Sequence, residues 1–355
     1  MKKISVRLLL ISFVFVLFSA VNPYCGATSE AKKQMLHVSF IDVGQGSATL
    51  IQYKGKNVLI DTGEESEYSK LKNFLDSKKV KSISNMIITH NDSDHMGGAD
   101  LVIRDYKVKK VTRAKYQEKK KNKQVTEFDN AIKDSKIKTK KVKAGSKIKI
   151  AAGAQMTVYS PSKKSDESNE NSIVIRLLHG DNSFLFTGDI DAKIENELVN
   201  KYNLESDVLQ VAHHGSGYSS AMLFLSKVKA KYSVISVGEG NPYGHPADFV
   251  VKRLGNFSDY IYRTDRNGTV TFASDGKILN VTTEKAYSND ENVKEIPGTP
   301  SDNSTVGKII GNVNTKVYHS ESCGNLPYEK NRKYFDSEEA AVSEGYRAHS
   351  ACVRQ

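Results

Sequence analysis

The segment Thr89-His90-Asn91-Asp92-Ser93-Asp94-His95 constrains this chain more than any other, because it packs two imidazoles and two carboxylates into six consecutive positions, 90–95. Crowded carboxylates repel one another, and burying them unpaired costs far more than burying an ordinary polar group. A divalent cation removes that cost, so the spacing makes physical sense where one or two metal ions sit in the loop. Two ions would hold a shared hydroxide and polarise the group to be cleaved. A short apolar strand predicted over 84–89 ends at His90. A strand-to-loop junction is where converging ligands are commonly displayed.

The flanking sequence reads as alternating strands and helices. Strands over 37–42, 47–53 and 57–61 open a β-meander, and Leu71, Phe74 and Leu75 lie at helical spacing over 69–78. Strands over 172–178 and 183–187 form a hairpin about Gly180-Asp181-Asn182, with His179 as a turn residue, before Gly188-Asp189 and a helix carrying Ile194 and Leu198. A strand over 207–212 delivers His213-His214-Gly215-Ser216. Another over 232–237 leads to Asn241-Pro242-Tyr243-Gly244-His245-Pro246, with Pro246 suited to the first turn of a helix over 247–254. Strands near 260–263 and 269–273 close the region. Residues 285–306, rich in Ser, Asn, Asp, Pro and Gly, read as a linker. The last stretch reads as a compact unit with a strand over 315–319 and a helix over 337–344 stopped by Gly345.

Met1-Lys2-Lys3-Ile4 followed by an apolar run over 8–21, broken by Ser12 and Ser19, reads as a secretory signal peptide over residues 1–27, cleaved after Ala27. The run is shorter than the roughly 20 residues of a membrane span. Cys25 follows Asn22-Pro23-Tyr24, which lacks the small and aliphatic residues of a lipid-attachment site. The expectation is a secreted protein, extracellular or associated with the cell wall, with no stable membrane span after cleavage. Losing Lys2, Lys3 and Arg7 leaves a chain of formal charge +11 still basic. That field favours anionic partners, whether nucleic acid, teichoic acid or an acidic membrane surface, and does not choose among them. The lysine runs over 107–148, including Lys119-Lys120-Lys121 and Lys140-Lys141, are either a solvated face or a grip on phosphates.

The pattern His-x-Asp-x-Asp-His over 90–95 resembles the metallo-β-lactamase superfamily signature, with Asp92 where a second histidine is usual. Carboxylate in place of imidazole hardens the site, moving preference from Zn²⁺ towards Mn²⁺ or Mg²⁺, and argues against an ordinary β-lactamase. Phe40-Ile41-Asp42-Val43-Gly44-Gln45-Gly46, Leu59-Ile60-Asp61-Thr62-Gly63, Asn171-Ser172, Thr187-Gly188-Asp189, His213-His214-Gly215-Ser216 and Asn241 to Pro246 follow in order. Together these are similar to the hydrolase domain of the ComEC/Rec2 DNA-internalisation family over residues 35–285, without that family's membrane channel. The resemblance implies an α/β fold, the αββα sandwich of two mixed sheets flanked by helices, holding one or two divalent ions, Zn or Mn.

By the same resemblance Asp189 bridges the ions, His90 and Asp92 hold one, and Asp94 and His95 hold the other. Which of His213, His214 and His245 completes each shell is left open. No histidine lies between His95 and His179, where the superfamily supplies a further ligand, so either Asn171 fills in or that ion is weakly held. Asp94 is the candidate to orient the nucleophilic water or accept its proton. His214 or His245 would stabilise charge on a phosphoryl oxygen or protonate the leaving group. Asn171 and Ser216 are candidate substrate contacts. His37 and His179 read as structural, as do Asp42 and Asp61, at strand ends where carboxylates bond turn amides.

In the last module, residues 307–355, His319-x3-Cys323 and His349-x2-Cys352 frame a tetrahedral Zn²⁺ site of two sulfurs and two nitrogens. Gly311 to His319, Cys323, Tyr334 to Ala340, Gly345-Tyr346-Arg347 and Cys352 resemble the small Ada-type metal-binding domain, with His349 where a cysteine is usual. A Cys323–Cys352 disulfide is the alternative staple. The leading functional reading is a secreted phosphodiesterase, a nuclease acting on DNA or RNA through metal-activated water, with competence as one setting. Alternatives are a hydrolase of small esters, lactones or cell-wall phosphodiesters, and a non-catalytic wall-associated metal-binding protein.

Overall fold

The structure, a computed structural model, describes residues 34–116, 122–286, 309–320, 327, 331–335 and 338–349. The expected signal peptide, the Lys119-Lys120-Lys121 run and most of the expected linker lie outside these residues.

Among the described residues the larger sheet has eight strands, in the order Leu279–Thr283, Val270–Ser274, Leu36–Phe40, Thr49–Tyr53, Lys56–Ile60, Asn85–Ile88, Lys110–Ala114 and Lys138–Val142. The smaller has seven, in the order Tyr260–Arg263, Tyr232–Ile235, Val208–Gln210, Asn182–Phe186, Val174–His179, Ala154–Ser160 and Lys147–Ala151. Each sheet is antiparallel on one side and parallel on the other.

The period-two rule explains the layering. In Val58-Leu59-Ile60, Val58 and Ile60 point into a core shared with Met156, Ile175, Phe184 and Phe186 of the smaller sheet. Leu59 points the other way, with Met86, Ile88 and Val111, onto the helices Tyr68–Ser77, Ala99–Asp105 and Lys123–Asp134. Leu185, Leu209 and Ile235 do the same on the smaller sheet, against Ala192–Val199, Met222–Val228 and Asp248–Gly255. The result is a four-layer αββα sandwich. Strands covered on both faces must be apolar at every position, which is why these runs do not alternate with polar residues. Phe40, Phe184 and Phe272 are fully buried at its centre, and truncating any of them would cost about 3–5 kcal/mol.

Three sequence expectations need correction. His179 is not a turn residue but the last residue of its strand, buried, with Nδ1 at 2.7 Å from Ser274 Oγ. Pro246 precedes the helix, whose N-terminal flank is Ala247. The domain closes with one further strand, Leu279–Thr283, whose alternately exposed LNVTT carries too little apolar signal to be read.

The tail forms its own sheet in the order Arg332–Phe335, Ile309–Asn312, Val317–Ser320 and Arg347–Ala348, with the helix Glu338–Ser343. Ile309, Tyr318, Phe335, Ala341 and Tyr346 make its small core. Gly311 lets the rings of Phe335 and Tyr346 approach, since a Cβ there would meet both at 2.6 Å. No described helix is long and apolar enough to cross a membrane.

Candidate metal centre

The parallel strands of both sheets end at the same edge of the sandwich, and their carboxyl ends carry the chemistry. Asp61 follows Lys56–Ile60, Thr89 and His90 follow Asn85–Ile88, and Asp189 follows Asn182–Phe186. His213 and His214 follow Val208–Gln210. Open sheets gather ligands at such ends because the loops there diverge and leave a crevice.

Local backbone geometry aims the side chains. His213 and His214 both adopt left-handed conformations, φ 52° and 54°, unusual for two successive non-glycine residues. Strain of this kind costs about 1–3 kcal/mol per residue and persists where the surroundings over-determine it. Here His213 N donates to Gly188 O and Ala247 N to Gly215 O, fixing the turn between its neighbours. On the other side, Ser47 N donates to Asp94 O at 2.9 Å, and Gly46 makes that approach feasible: a Cβ there would lie 2.3 Å from the same oxygen.

Three histidines are oriented by acceptors behind them. His95 Nδ1 is 2.8 Å from Asp61 Oδ2, and His214 Nδ1 is 2.7 Å from the Ser236 carbonyl. A carboxylate and a carbonyl only accept, so each Nδ1 carries the hydrogen and each Nε2 turns inward. His90 follows the same rule: Thr89 Oγ1 donates to Asp61 Oδ2 at 2.7 Å and so accepts from His90 Nδ1 at 3.1 Å. That leaves His90 Nε2 buried with no hydrogen-bond partner among the described residues. Such an orphan calls for a ligand.

The inward nitrogens meet carboxylates. His95 Nε2 is 3.0 Å from Asp189 Oδ1, and His214 Nε2 is 3.0 Å from Asp94 Oδ2 and 3.5 Å from Asp189 Oδ2. His95 Nε2 and His214 Nε2 are themselves 3.3 Å apart. Ligand atoms of Asp94, His95, Asp189 and His214 all lie within 4.8 Å of one another, a nitrogen and oxygen set suited to one divalent ion. On the far side of Asp189, its Oδ2 is 4.0 Å from His90 Nε2 and 3.8 Å from His213 Nε2, while Asp92 Oδ2 is 3.6 Å from His90 Nε2. These groups outline a second, looser subsite. The residues fit metal binding: two neutral imidazole lone pairs beside the buried Asp189 and half-buried Asp94 carboxylates form a negative focus that needs a cation.

Protonation of the metal-free centre follows from that focus. Burial opposes charge on His214, yet Asp189 and Asp94 push its imidazole up to about 10, and Asp189 and Asp61 likewise raise His95. Burial opposes ionisation of Asp94 too, but the His214 hydrogen bond and the His95 charge hold its carboxyl well below the usual range. Asp189 is held low by the same two imidazoles. Protons thus stand in for the cations.

The remaining candidates fall elsewhere. His245 lies against His213, ring centroids 5.8 Å apart, and no carboxylate oxygen is found within ion-pair distance of it among the described residues. Asn171 does not turn its amide to the centre: Oδ1 accepts from Ser165 N, and Nδ2 donates to Ser165 O and Glu167 O. It braces the 165–171 loop. Ser216 is buried, its Oγ accepting from Tyr218 N within the turn. In the tail, the His319 and His349 rings sit 4.4 Å apart, and Cys323 and Cys352 lie outside the described residues.

Sequence reasoning gave Asp61 a turn-binding duty, whereas the structure makes it the buried anchor of His95 and Thr89, itself at φ 57°. Ser168, whose Oγ donates to Asp92 Oδ1 at 2.7 Å, and Ser172, whose Oγ accepts from Asp189 N at 3.2 Å, were also missed as supports. Asn171-Ser172 beside the metal motifs was the available signal for the second.

Residues 41–153 match the metallo-beta-lactamase superfamily. The chain carries a metallo-beta-lactamase superfamily hydrolase domain. It is 32% identical to ComE operon protein 3 of Bacillus subtilis (strain 168), over 66% of this chain and 32% of that protein. It is 30% identical to competence protein ComA of Neisseria gonorrhoeae, over 66% of this chain and 32% of that protein. It is 30% identical to recombination protein 2 of Haemophilus influenzae, over 75% of this chain and 31% of that protein. The chain thus spans about a third of the length of these relatives.

Proposed function

We propose that this metal-dependent hydrolase is a phosphodiesterase that cleaves nucleic acid. The observation that carries the reading is the convergence of the Nε2 atoms of His90, His95 and His214 on Asp94 and Asp189, each imidazole held from behind. Bound divalent ions supply Lewis-acid polarisation and acidify water at neutral pH. Asp94, the more accessible carboxylate of the cluster, accepts the proton of the attacking water. His213 beside Asp189 would help hold the second ion, and neighbouring His245 adjoins the region where charge develops on the phosphoryl oxygens.

The relatives' names, competence and recombination proteins, favour DNA as the polymer. Charge supports a polyanion: Lys138, Lys140, Lys141, Lys143, Lys147 and Lys149 are all exposed on the edge strands or the turn between them. The register Ile88, Arg113, Lys141 across neighbouring strands places the Lys141 end of this stripe at the same sheet edge as His90. The tail histidines favour a structural zinc ion shared with Cys323 and Cys352, and residues 1–27 favour export.

The test is incubation of the metal-stripped protein with single- and double-stranded DNA and RNA, adding Mn²⁺, Mg²⁺ or Zn²⁺ in turn. Cleavage that needs metal and disappears in Asp94→Ala is expected. Intact polymers with every metal, alongside hydrolysis of a simple carboxylic ester, would reassign the site to small substrates.

A further inference from the structure

The loop between Tyr232–Ile235 and Asp248–Gly255 is built around one side chain. Asn241 Nδ2 donates to Gly238 O and His245 O, at 3.0 and 2.6 Å, while its Oδ1 accepts from Tyr243 N and His245 N, at 3.2 and 3.1 Å. With both side-chain polar atoms of Asn241 engaged, the turn presents Tyr243 and His245 in a fixed relation. Their rings stack, 5.9 Å between centroids and 22° between planes. His245 in turn meets His213 edge-on, and His213 Nε2 is 3.8 Å from Asp189. A file of rings therefore runs outward from the metal centre, and its outermost member, Tyr243, is 62% exposed.

Tyrosine kept for packing buries its ring. Tyr243 instead offers a broad aromatic face beside a hydrolytic centre, on a loop anchored against that centre. Tyr218, 47% exposed, leaves the His213–Ser216 turn in the same way. Among phosphodiester polymers, nucleic acids carry a flat π-face one sugar away from each phosphate, whereas polyol-phosphate wall polymers carry none. In a duplex those faces are already stacked and paired; in a single strand they are available.

We infer that Tyr243, backed by His245, stacks an unpaired nucleobase next to the phosphodiester being cleaved, so that single-stranded nucleic acid is the substrate. This rests on the phosphodiesterase reading. Tyr243 acts as a specificity residue and takes no part in proton transfer.

The experiment compares a single-stranded oligodeoxynucleotide, its duplex, and an oligomer of equal length built from abasic tetrahydrofuran phosphates. The full-length protein is assayed as wild type, Tyr243→Phe and Tyr243→Leu. On the base-bearing strand, Tyr243→Leu should raise KM about tenfold or more, the scale of one base–aromatic stack, with kcat nearly unchanged. Tyr243→Phe keeps the ring and should stay near wild type. On the abasic oligomer all three proteins should behave alike, and wild type should prefer the single strand to the duplex. Equal losses on both oligomers, or no loss on either, would overturn the stacking role while leaving phosphodiester cleavage standing. Failure of wild type to cut either oligomer would remove the underlying reading and this inference with it.

Discussion

Asp61→Asn separates the anchor of the metal centre from the centre itself. Asp61 is fully buried and accepts from Thr89 N at 2.8 Å, Thr89 Oγ1 at 2.7 Å and His95 Nδ1 at 2.8 Å. Three donors point at two carboxylate oxygens. An amide keeps one acceptor: its nitrogen in place of Oδ2 faces both Thr89 Oγ1 and His95 Nδ1, and in place of Oδ1 it faces Thr89 N, so at least one bond becomes a clash of hydrogens. In either orientation the bond from His95 Nδ1 loses its charged acceptor; a charge-assisted bond is worth about 1.5–3 kcal/mol, and without it His95 takes more readily the tautomer that places a hydrogen on Nε2. Loss of an outer-shell partner typically weakens metal binding about 10–100-fold, which at 1.4 kcal/mol per decade is the same range. The left-handed backbone at φ 57° is not disturbed, because asparagine adopts it readily. The assay is competition with a fluorescent chelator for Zn²⁺ and Mn²⁺, with circular dichroism to show that the fold persists. Metal affinity unchanged in a folded Asp61→Asn would refute the argument that this carboxylate sets the His95 tautomer.

Metal uptake should release protons near neutral pH, because a metal must displace those that His214, at about 10, and His95 carry in the metal-free centre. Affinity should therefore rise with pH, and calorimetry in two buffers of different ionisation enthalpy should show net release; identical heats would contradict it. A separate pH effect belongs to Glu195, fully buried, which burial raises to about 7 although Ser220 N and Ala221 N donate to it. A carboxyl raised in the folded state adds stability below its ordinary value of 4.5 that is lost as pH rises through about 7, here roughly 3 kcal/mol. Chemical denaturation between pH 4.5 and 8 should show that fall, and it should be absent in Glu195→Gln. Replacing Lys138, Lys140 and Lys141 by Gln should lower the dependence of single-strand affinity on salt by about two in log–log slope. An unchanged slope would return these lysines to the role of protecting an exposed sheet edge.

Much of this architecture was legible in the sequence, because its strands are unbroken apolar runs such as Val58-Leu59-Ile60 and its ligands follow those runs directly. The cluster from His90 to His95 was marked by residue type, Asp189 and the His213-His214 pair by the family resemblance, and the structure brings them together. Residue type could not divide His213 from His214: the two left-handed conformations send one to Asp94 and the other to the far side of Asp189. Nor could it recognise Asp61, whose role depends on a long-range contact with His95 across 34 positions. Asn171 misled because its neighbour Ser172 does support Asp189, while its own amide closes a local loop. Polar residues beside a ligand look alike until their partners are known.

Asp189 lies between both subsites, so metal content of Asp189→Ala tests the account most directly. Mass spectrometry of the purified, folded protein should find that this substitution removes the ions lost on stripping the centre, whereas Asn171→Ala leaves them in place. Retention of the full complement by Asp189→Ala would contradict a centre organised around that carboxylate.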